Sequence, residues 1–315
     1  MIRTAVIGVG YLGRFHAQKY ASLANSQLVG VADPSAAARD ALAAELKVAA
    51  HADYRELLGK VDAVSIVTPT PLHFEVAKAF LEAGAGVLVE KPMTVTTAEG
   101  EQLIDIASRA KRILQVGHLE RFNAALLAVQ PVLTVPRFIE SARLAPFKHR
   151  GTDVDVVLDL MIHDIDLILS IVRSAVVSVD AIGTSVFSNE IDIANARLRF
   201  ANGCVANATA SRVSMKTERK LRLFQDDAYM SLDLGQKILT IIRKGVGVGP
   251  DGMPQVAIEE NTYEQGDALK SEIEAFLQAV ATGSAPPVTG EDGLLALRTA
   301  VNIAEQVTNS MSKFA

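Results

Sequence analysis

The stretch Ala5-Val6-Ile7-Gly8-Val9-Gly10-Tyr11-Leu12-Gly13 decides how the whole chain is read, because an apolar run passes directly into G-x-G-x-x-G. Gly8 allows a tight turn out of a strand, Gly10 lets backbone approach a pyrophosphate, and Gly13 lets the next helix pack closely on the sheet. That helix, patterned by Leu12, Phe15, His16, Tyr20 and Leu23, begins where the phosphates sit, so its unpaired N–H groups and dipole face negative charge. A second strand pattern, Leu28-Val29-Gly30-Val31-Ala32, ends at Asp33. This acid lies about 20 residues beyond the glycines, where a carboxylate holds ribose hydroxyls and repels a 2'-phosphate. The expectation is a site for NAD rather than NADP, built from Gly8, Gly10, Tyr11, Leu12, Gly13 and Asp33. A glycine turn beside a solvated Asp33 is the plainer alternative, and the matching strand, helix and acid spacing tells against it.

Outward from that stretch, residues 1–118 alternate strand and helix patterns. A helix over 36–46 and a short strand at Ala49-Ala50 precede Ala63-Val64-Ser65-Ile66-Val67. This last run stops at Thr68-Pro69-Thr70-Pro71, which continues neither strand nor helix. A helix over 73–83 closed by Gly84, a strand Gly86-Val87-Leu88-Val89, a helix from Thr96 with Glu99 at capping-box spacing, and Ile113-Leu114-Gln115-Val116-Gly117 complete the half. Continuous apolar strands alternating with helices imply a parallel sheet covered on both faces.

Past residue 119 the pattern changes: a helix near 123–129, a strand near 137–145 and a strong helix over 153–172. Strands follow at 176–186, 193–200, 205–213, 220–224, 229–234 and 238–242, with helices over 268–282 and 292–312. Gly245 to Pro254 reads as a loop. The expected fold class is α/β, with an N-terminal dinucleotide-binding Rossmann domain over 1–118 and a mostly parallel sheet. A C-terminal α/β domain over 119–315, with an open and mainly antiparallel sheet, is expected to bind substrate and to mediate oligomerisation.

Composition agrees with two domains, since 315 residues with 49% apolar and 21% charged residues exceed the size at which a single core stops growing. A net charge of -5, with no basic run or interleaved aromatic patch, gives no reason to expect nucleic acid. The one cysteine, Cys204, reads as a small apolar strand residue and fits a reducing compartment. Neither a signal-peptide pattern nor an apolar run of membrane-crossing length is present, so a cytoplasmic protein is expected.

Chemistry concentrates in two places. Glu90-Lys91-Pro92 sets a lysine at the carboxyl end of a buried strand, where open α/β sheets bind ligands. Lys91 there can face the oxygen of a reacting carbon with positive charge. The helix over 153–172 carries Asp155, Asp159 and His163 at spacings of four, with Asp166 three further on. An acid one turn before a histidine orients the imidazole as a general base. Asp-x3-His also offers two metal ligands, but His16, His51, His73, His118 and His149 add no cluster, so no metal is expected. A solvated face is disfavoured because Leu158, Leu160, Ile162, Ile165, Leu167, Ile168 and Leu169 make the helix apolar nearly all round.

Fingerprint, Glu90-Lys91-Pro92 and Asp159-x3-His163, in this order, resemble the Gfo/Idh/MocA oxidoreductase family over essentially the whole chain. The resemblance implies NAD-dependent oxidation of a secondary alcohol of a sugar to a ketone, with Lys91, Asp159 and His163 as catalytic trio. It also implies a cis Lys91-Pro92 peptide, with Thr68, Pro69, His73, Glu90, Lys91 and Pro92 on the nicotinamide side. An open sheet forming the interface of a homodimer or homotetramer is a further implication.

A narrower likeness lies in Gly117-His118-Leu119-Glu120-Arg121-Phe122-Asn123, Leu158-Asp159-Leu160-Met161-Ile162-His163 and the Arg143 and Arg150 regions. These resemble the branch that oxidises UDP-N-acetylglucosamine at C3, for amino sugars of lipid A or surface polysaccharide. Met161-Ile162 stands where the polyol-oxidising branch often has glycine before the histidine. For a diphosphate, cationic and often bidentate donors are needed. Arg121, Arg143, Arg150 and Arg212 are the candidates, with Asn123 for sugar hydroxyls. Oxidation of a free sugar or an inositol-like polyol stays open, as does a non-catalytic dinucleotide sensor, which has no need of a proton acceptor beside a cation. A metal-dependent hydrolase comes last.

Overall fold

In a computed structural model that describes residues 1–148, 154–248, 252–263 and 266–312, the chain forms two compact units. The first comprises Met1–Leu119 and Asp267–Leu295. Its strands are β1 (Ile2–Ile7), β2 (Ser26–Ala32), β3 (Ala49–His51), β4 (Ala63–Ile66), β5 (Gly86–Glu90) and β6 (Leu114–Gly117). They make a parallel sheet in the order β3-β2-β1-β4-β5-β6. The order reverses direction between β1 and β4, the switch point at which such sheets receive ligands.

Helices α1 (Tyr11–Ser22), α2 (Ala36–Leu46), α3 (His73–Glu82) and α4 (Thr97–Ala110) connect these strands. Strands β4 and β6 are buried at every residue, as parallel strands covered on both faces must be. Helix α4 starts with the expected capping box, Thr96 and Glu99 each accepting the other's backbone N–H. Helix α7 (Ala268–Thr282) belongs to this unit, its Leu269, Ile273, Phe276 and Leu277 packing with Tyr20, Val31 and Leu88. The first unit closes at Leu119, and 267–295 returns to it although the sequence pattern assigns that segment to the second half. Its amphipathic pattern shows that α7 buries a face, not which core receives it.

The second unit comprises Glu120–Gly266 and Ala296–Ala315. Its strands are β7 (Phe138–Leu144), β8 (Val176–Thr184), β9 (Ile193–Phe200), β10 (Val205–Ser211), β11 (Glu218–Phe224), β12 (Ala228–Asp233), β13 (Ile238–Val248) and β14 (Pro254–Thr262). They pair in the order β14-β13-β12-β11-β7-β10-β9-β8, antiparallel except for β7 beside β10. Period-two alternation sends Ala194, Ala196 and Leu198 of β9 and Ala206, Ala208 and Ala210 of β10 into the core. The small side chains of β10 admit a close helix, and α6 (Ile162–Val172) packs across β7 and β10. Helices α5 (Ala124–Val129) and the later part of α8 (Gly290–Met311) complete the core.

One expectation fails here. The sequence of Gly245 to Pro254 predicts a loop, but Gly245 to Val248 continue β13 and Pro254 opens β14, with 249–251 outside the described residues. Ladder register is irregular between Lys244 and Val248, where Gly247 adopts φ +104°. Glycines in that setting mark a bulge rather than a turn. Strand β14 had no periodic signal because it is an edge strand, exposed along 255–262.

Candidate functional site

The glycine loop is the most constrained part of the first unit. Gly8 has φ +82° and its N–H donates to Ala32 O at 2.8 Å. A Cβ on Gly8 would lie 2.7 Å from Val67 C, and one on Gly13 only 1.9 Å from Gly8 O. Gly10 differs, since a Cβ there would meet nothing within 4 Å. Gly8 and Gly13 thus serve close packing, and Gly10 leaves space beside the N-terminus of α1. That N-terminus has no side-chain cap and no acid in its first turn, so its N–H groups remain for an anion.

Asp33 is pinned beside this loop, Oδ2 accepting from Val9 N at 2.8 Å and Oδ1 from Ser35 N at 2.8 Å. Val9, Gly10, Tyr11, Ala37 and Ala38 contribute to a groove of about 830 Å³, the volume of a small-ligand pocket. Thr68 Oγ1 is buried and has no hydrogen-bond partner among the described residues. A bare helix start, an open Cα face at Gly10 and a fixed carboxylate suit a pyrophosphate and a ribose diol.

The Thr68-Pro69 loop and the Lys91-Pro92 turn share one buried histidine. His73 Nδ1 lies 2.9 Å from Pro92 O and Nε2 lies 2.8 Å from Thr68 O. Burial holds its pKa below the ordinary imidazole value against these two carbonyls. His73 therefore joins two loops rather than facing outward, and the Lys91-Pro92 peptide between them is cis. Lys91 and Pro92 are half-buried. The Glu90 carboxylate accepts from Lys91 N at 3.3 Å and contacts His16 Nε2 at 3.2 Å. Burial pushes the Glu90 carboxyl up, but His16 and the Lys91 charge outweigh it and hold it below its ordinary value.

In the second unit the predicted helix starts with a π-helical turn, Val157–Met161, before α6. Asp155 precedes this turn and caps it, accepting from Val157 N at 2.8 Å and Leu158 N at 2.9 Å. The expectation of Asp155, Asp159 and His163 on one α-helical face is corrected accordingly. The π turn adds a residue per turn, Asp155 is a cap, and Asp159 and His163 span the passage from π to α geometry. His163 is half-buried with its Nδ1 out of solvent.

Acids just beyond His163 anchor the helix to two arginine-bearing segments. Asp164 receives Arg143 Nε at 2.7 Å and Nη2 at 3.1 Å, while Arg143 Nη1 reaches Glu120 at 3.0 Å. Asp166 receives Arg121 Nε at 2.6 Å and Nη2 at 2.8 Å. Arg212 donates to Val154 O and lies 3.7 Å from Asp192. Asn123 caps α5 through Ala125 N and donates to Leu234 O at 2.9 Å and Glu120 at 3.2 Å. Arg143, Arg212 and Asn123, expected on the substrate, are thus buried with protein partners, and Arg121 is ion-paired. Arg150 lies outside the described residues. Sequence reasoning gave no role to His16, Ser65, Glu120 or Asp164. Only the burial of charge in an apolar helix could have flagged Asp164.

A family model described as an oxidoreductase family with an NAD-binding Rossmann fold matches residues 2–118, and a GFO/IDH/MocA C-terminal domain matches 137–230. The chain belongs to the Gfo/Idh/MocA family. It is an NAD-dependent oxidoreductase. A UDP-N-acetylglucosamine 3-dehydrogenase of Acidithiobacillus ferrooxidans is 45% identical over 281 residues, 89% of each chain. A solved structure of a protein so named from that organism is 42% identical, with TM-score 0.92 and 97% of each chain covered. An inositol 2-dehydrogenase of Rhizobium meliloti is 26% identical over 319 residues, 95% of this chain and 94% of that one. No helix among the described residues is long and apolar enough to cross a membrane.

Two predictions follow from this geometry. Gly10→Ala should leave the denaturation midpoint unchanged yet weaken NAD binding in a fluorescence titration, whereas Gly13→Ala should lower stability by about 1–3 kcal/mol through overpacking. Arg143→Ala strands the buried Asp164 carboxylate and takes one partner from Glu120, and should cost about 3–5 kcal/mol in chemical denaturation, far more than loss of an exposed arginine such as Arg55.

Proposed function

We propose that this protein oxidises a secondary alcohol of a sugar to a ketone, and that its substrate is UDP-N-acetylglucosamine, oxidised at C3. The observation that carries this reading is the 45% identity, across 89% of both chains, to a UDP-N-acetylglucosamine 3-dehydrogenase, against 26% to an inositol 2-dehydrogenase.

Gly8, Gly10, Gly13 and Asp33 would hold the pyrophosphate and ribose of NAD, and the loops at Thr68 and Lys91 its nicotinamide end. When bound, NAD supplies the hydride acceptor. His163 takes the hydroxyl proton at Nε2, since Nδ1 is buried, and Asp159 one turn earlier favours the resulting imidazolium. Lys91 offers positive charge to the alcohol oxygen as it becomes a carbonyl. Arg143 and Arg212 hold protein groups in this reading, and Arg121 and Arg150 keep the assignment to the diphosphate.

A homo-oligomer is part of the same reading. On the sheet face opposite Ile139, Leu223, Met230 and Ile241, the cross-strand row Phe138, Phe224, Tyr229, Ile242 and Ile258 is left outside the core. Its three rings pack in tilted pairs with centroids 5.7 and 5.0 Å apart. Contiguous apolar surface of this kind favours a second copy over water.

The test is NAD reduction at 340 nm with UDP-N-acetylglucosamine, other UDP-sugars and free polyols, with and without a 2-oxo acid as second acceptor. UDP-N-acetylglucosamine should be turned over best; turnover of inositol alone would defeat the substrate assignment. Lys91→Ala and His163→Ala should each lower kcat by about 10²–10⁴-fold and leave NAD affinity nearly intact. Light scattering should give a dimer or tetramer that Ile258→Lys weakens.

A further inference from the structure

Buried polar side chains in the first unit form a continuous line that ends at the Lys91 turn. Tyr20 Oη lies 2.8 Å from Ser65 Oγ, Ser65 Oγ 3.2 Å from His16 Nδ1, and His16 Nε2 3.2 Å from Glu90 Oε1. The second oxygen of Glu90 accepts the Lys91 backbone N–H at 3.3 Å. Tyr20, Ser65 and His16 are wholly buried. Ser65 interrupts the otherwise apolar Ala63-Val64-Ser65-Ile66 strand, and His16 and Tyr20 lie on the inward side of α1. Polar groups in such positions destabilise a core unless each is paired, and here the pairing runs toward one carboxylate.

The direction of these bonds is set from the Glu90 end. Burial raises the pKa of Tyr20, so its hydroxyl keeps its proton and can donate to Ser65 once the Ser65 proton is directed at His16. An ionised Glu90 only accepts, which requires His16 to donate from Nε2; in the neutral ring Nδ1 then accepts from Ser65. Gly117 lies against the same carboxylate, for a Cβ there would fall 2.9 Å from Glu90 Oε1. Imidazole, backbone N–H and Gly117 together leave the carboxylate a single seat.

We propose that His16 is a positioning residue for the Glu90-Lys91-Pro92 turn: by holding one Glu90 oxygen it fixes the other on the Lys91 N–H, and so sets the point from which the Lys91 side chain departs. This rests on the reading of Lys91 as the cation facing the reacting oxygen. The competing account makes His16 a space-filling core residue. Under it, any side chain of similar volume serves and Lys91 is unaffected.

The variants His16→Leu, which keeps volume and loses the donor, and His16→Gln, which keeps a donor toward Glu90, separate the two. Four quantities are measured on the full chain: thermal midpoint, NAD affinity, kcat and KM for UDP-N-acetylglucosamine, and the rate at which trinitrobenzenesulfonate labels Lys91 relative to exposed Lys60, read by peptide mass spectrometry. His16→Leu should lower kcat by about 100-fold, the order expected for a displacement near 1 Å, with KM little changed. It should also alter the relative labelling of Lys91 severalfold, and His16→Gln should restore both. Equal losses in the two variants, or unchanged Lys91 labelling in a folded His16→Leu protein, would overturn the proposal. If His16→Leu does not fold, Ser65→Ala decides: altered Lys91 labelling supports the proposal and unaltered labelling ends it. Should the wild type turn over no UDP-sugar, the functional reading fails, and the labelling comparison still judges His16.

Discussion

The contact on which the first unit depends is the approach of Gly13 in α1 to the carbonyl of Gly8, so close that a methyl group there would overlap the oxygen. It draws the start of α1 down onto the end of β1 and leaves the N-terminal N–H groups uncapped over open space at Gly10. Helix dipole, bare donors and the pinned Asp33 then share one edge of the sheet. The same packing puts the inner side of α1 against β4, where His16 and Tyr20 find Ser65. Cofactor cradle and buried polar line are thus two results of one helix being seated without side chains between it and the strand.

The second unit solves a different problem, that of fixing a helix whose sides are nearly all apolar. Apolar packing alone resists separation but tolerates sliding and rotation. Bidentate pairs tolerate neither, and Asp164 with Arg143 and Asp166 with Arg121 anchor α6 just beyond His163. Burying such charges is expensive and their removal singly more so. Glu120, shared between Arg143 and Asn123, also binds the turn at 119–122 to the same frame.

What the sequence disclosed followed from the strength of its local signals. The parallel strands, the Gly8 turn, the Thr96 cap and the span of α7 were legible because periodicity and capping chemistry act within a few residues. Partners far apart in the chain left no such trace. Nothing near Arg143 announces Asp164, and an arginine that binds a diphosphate looks the same in sequence as one that binds a buried aspartate. The π turn at 157–161 also escaped, since one extra residue per turn does not disturb an apolar pattern that runs all round the helix. Strand β14 was hidden by its exposure, for an edge strand with two wet faces has no reason to alternate.

Ala206, Ala208 and Ala210 of β10 fill the seam on which α6 rests. Three methyl groups set the height of that helix above the sheet, and with it the level at which His163 stands. A side chain larger than alanine at any of the three positions would lift the helix off the sheet. The floor beneath the imidazole is thus fixed by the shortest side chains in the sheet rather than by any group that touches the ring.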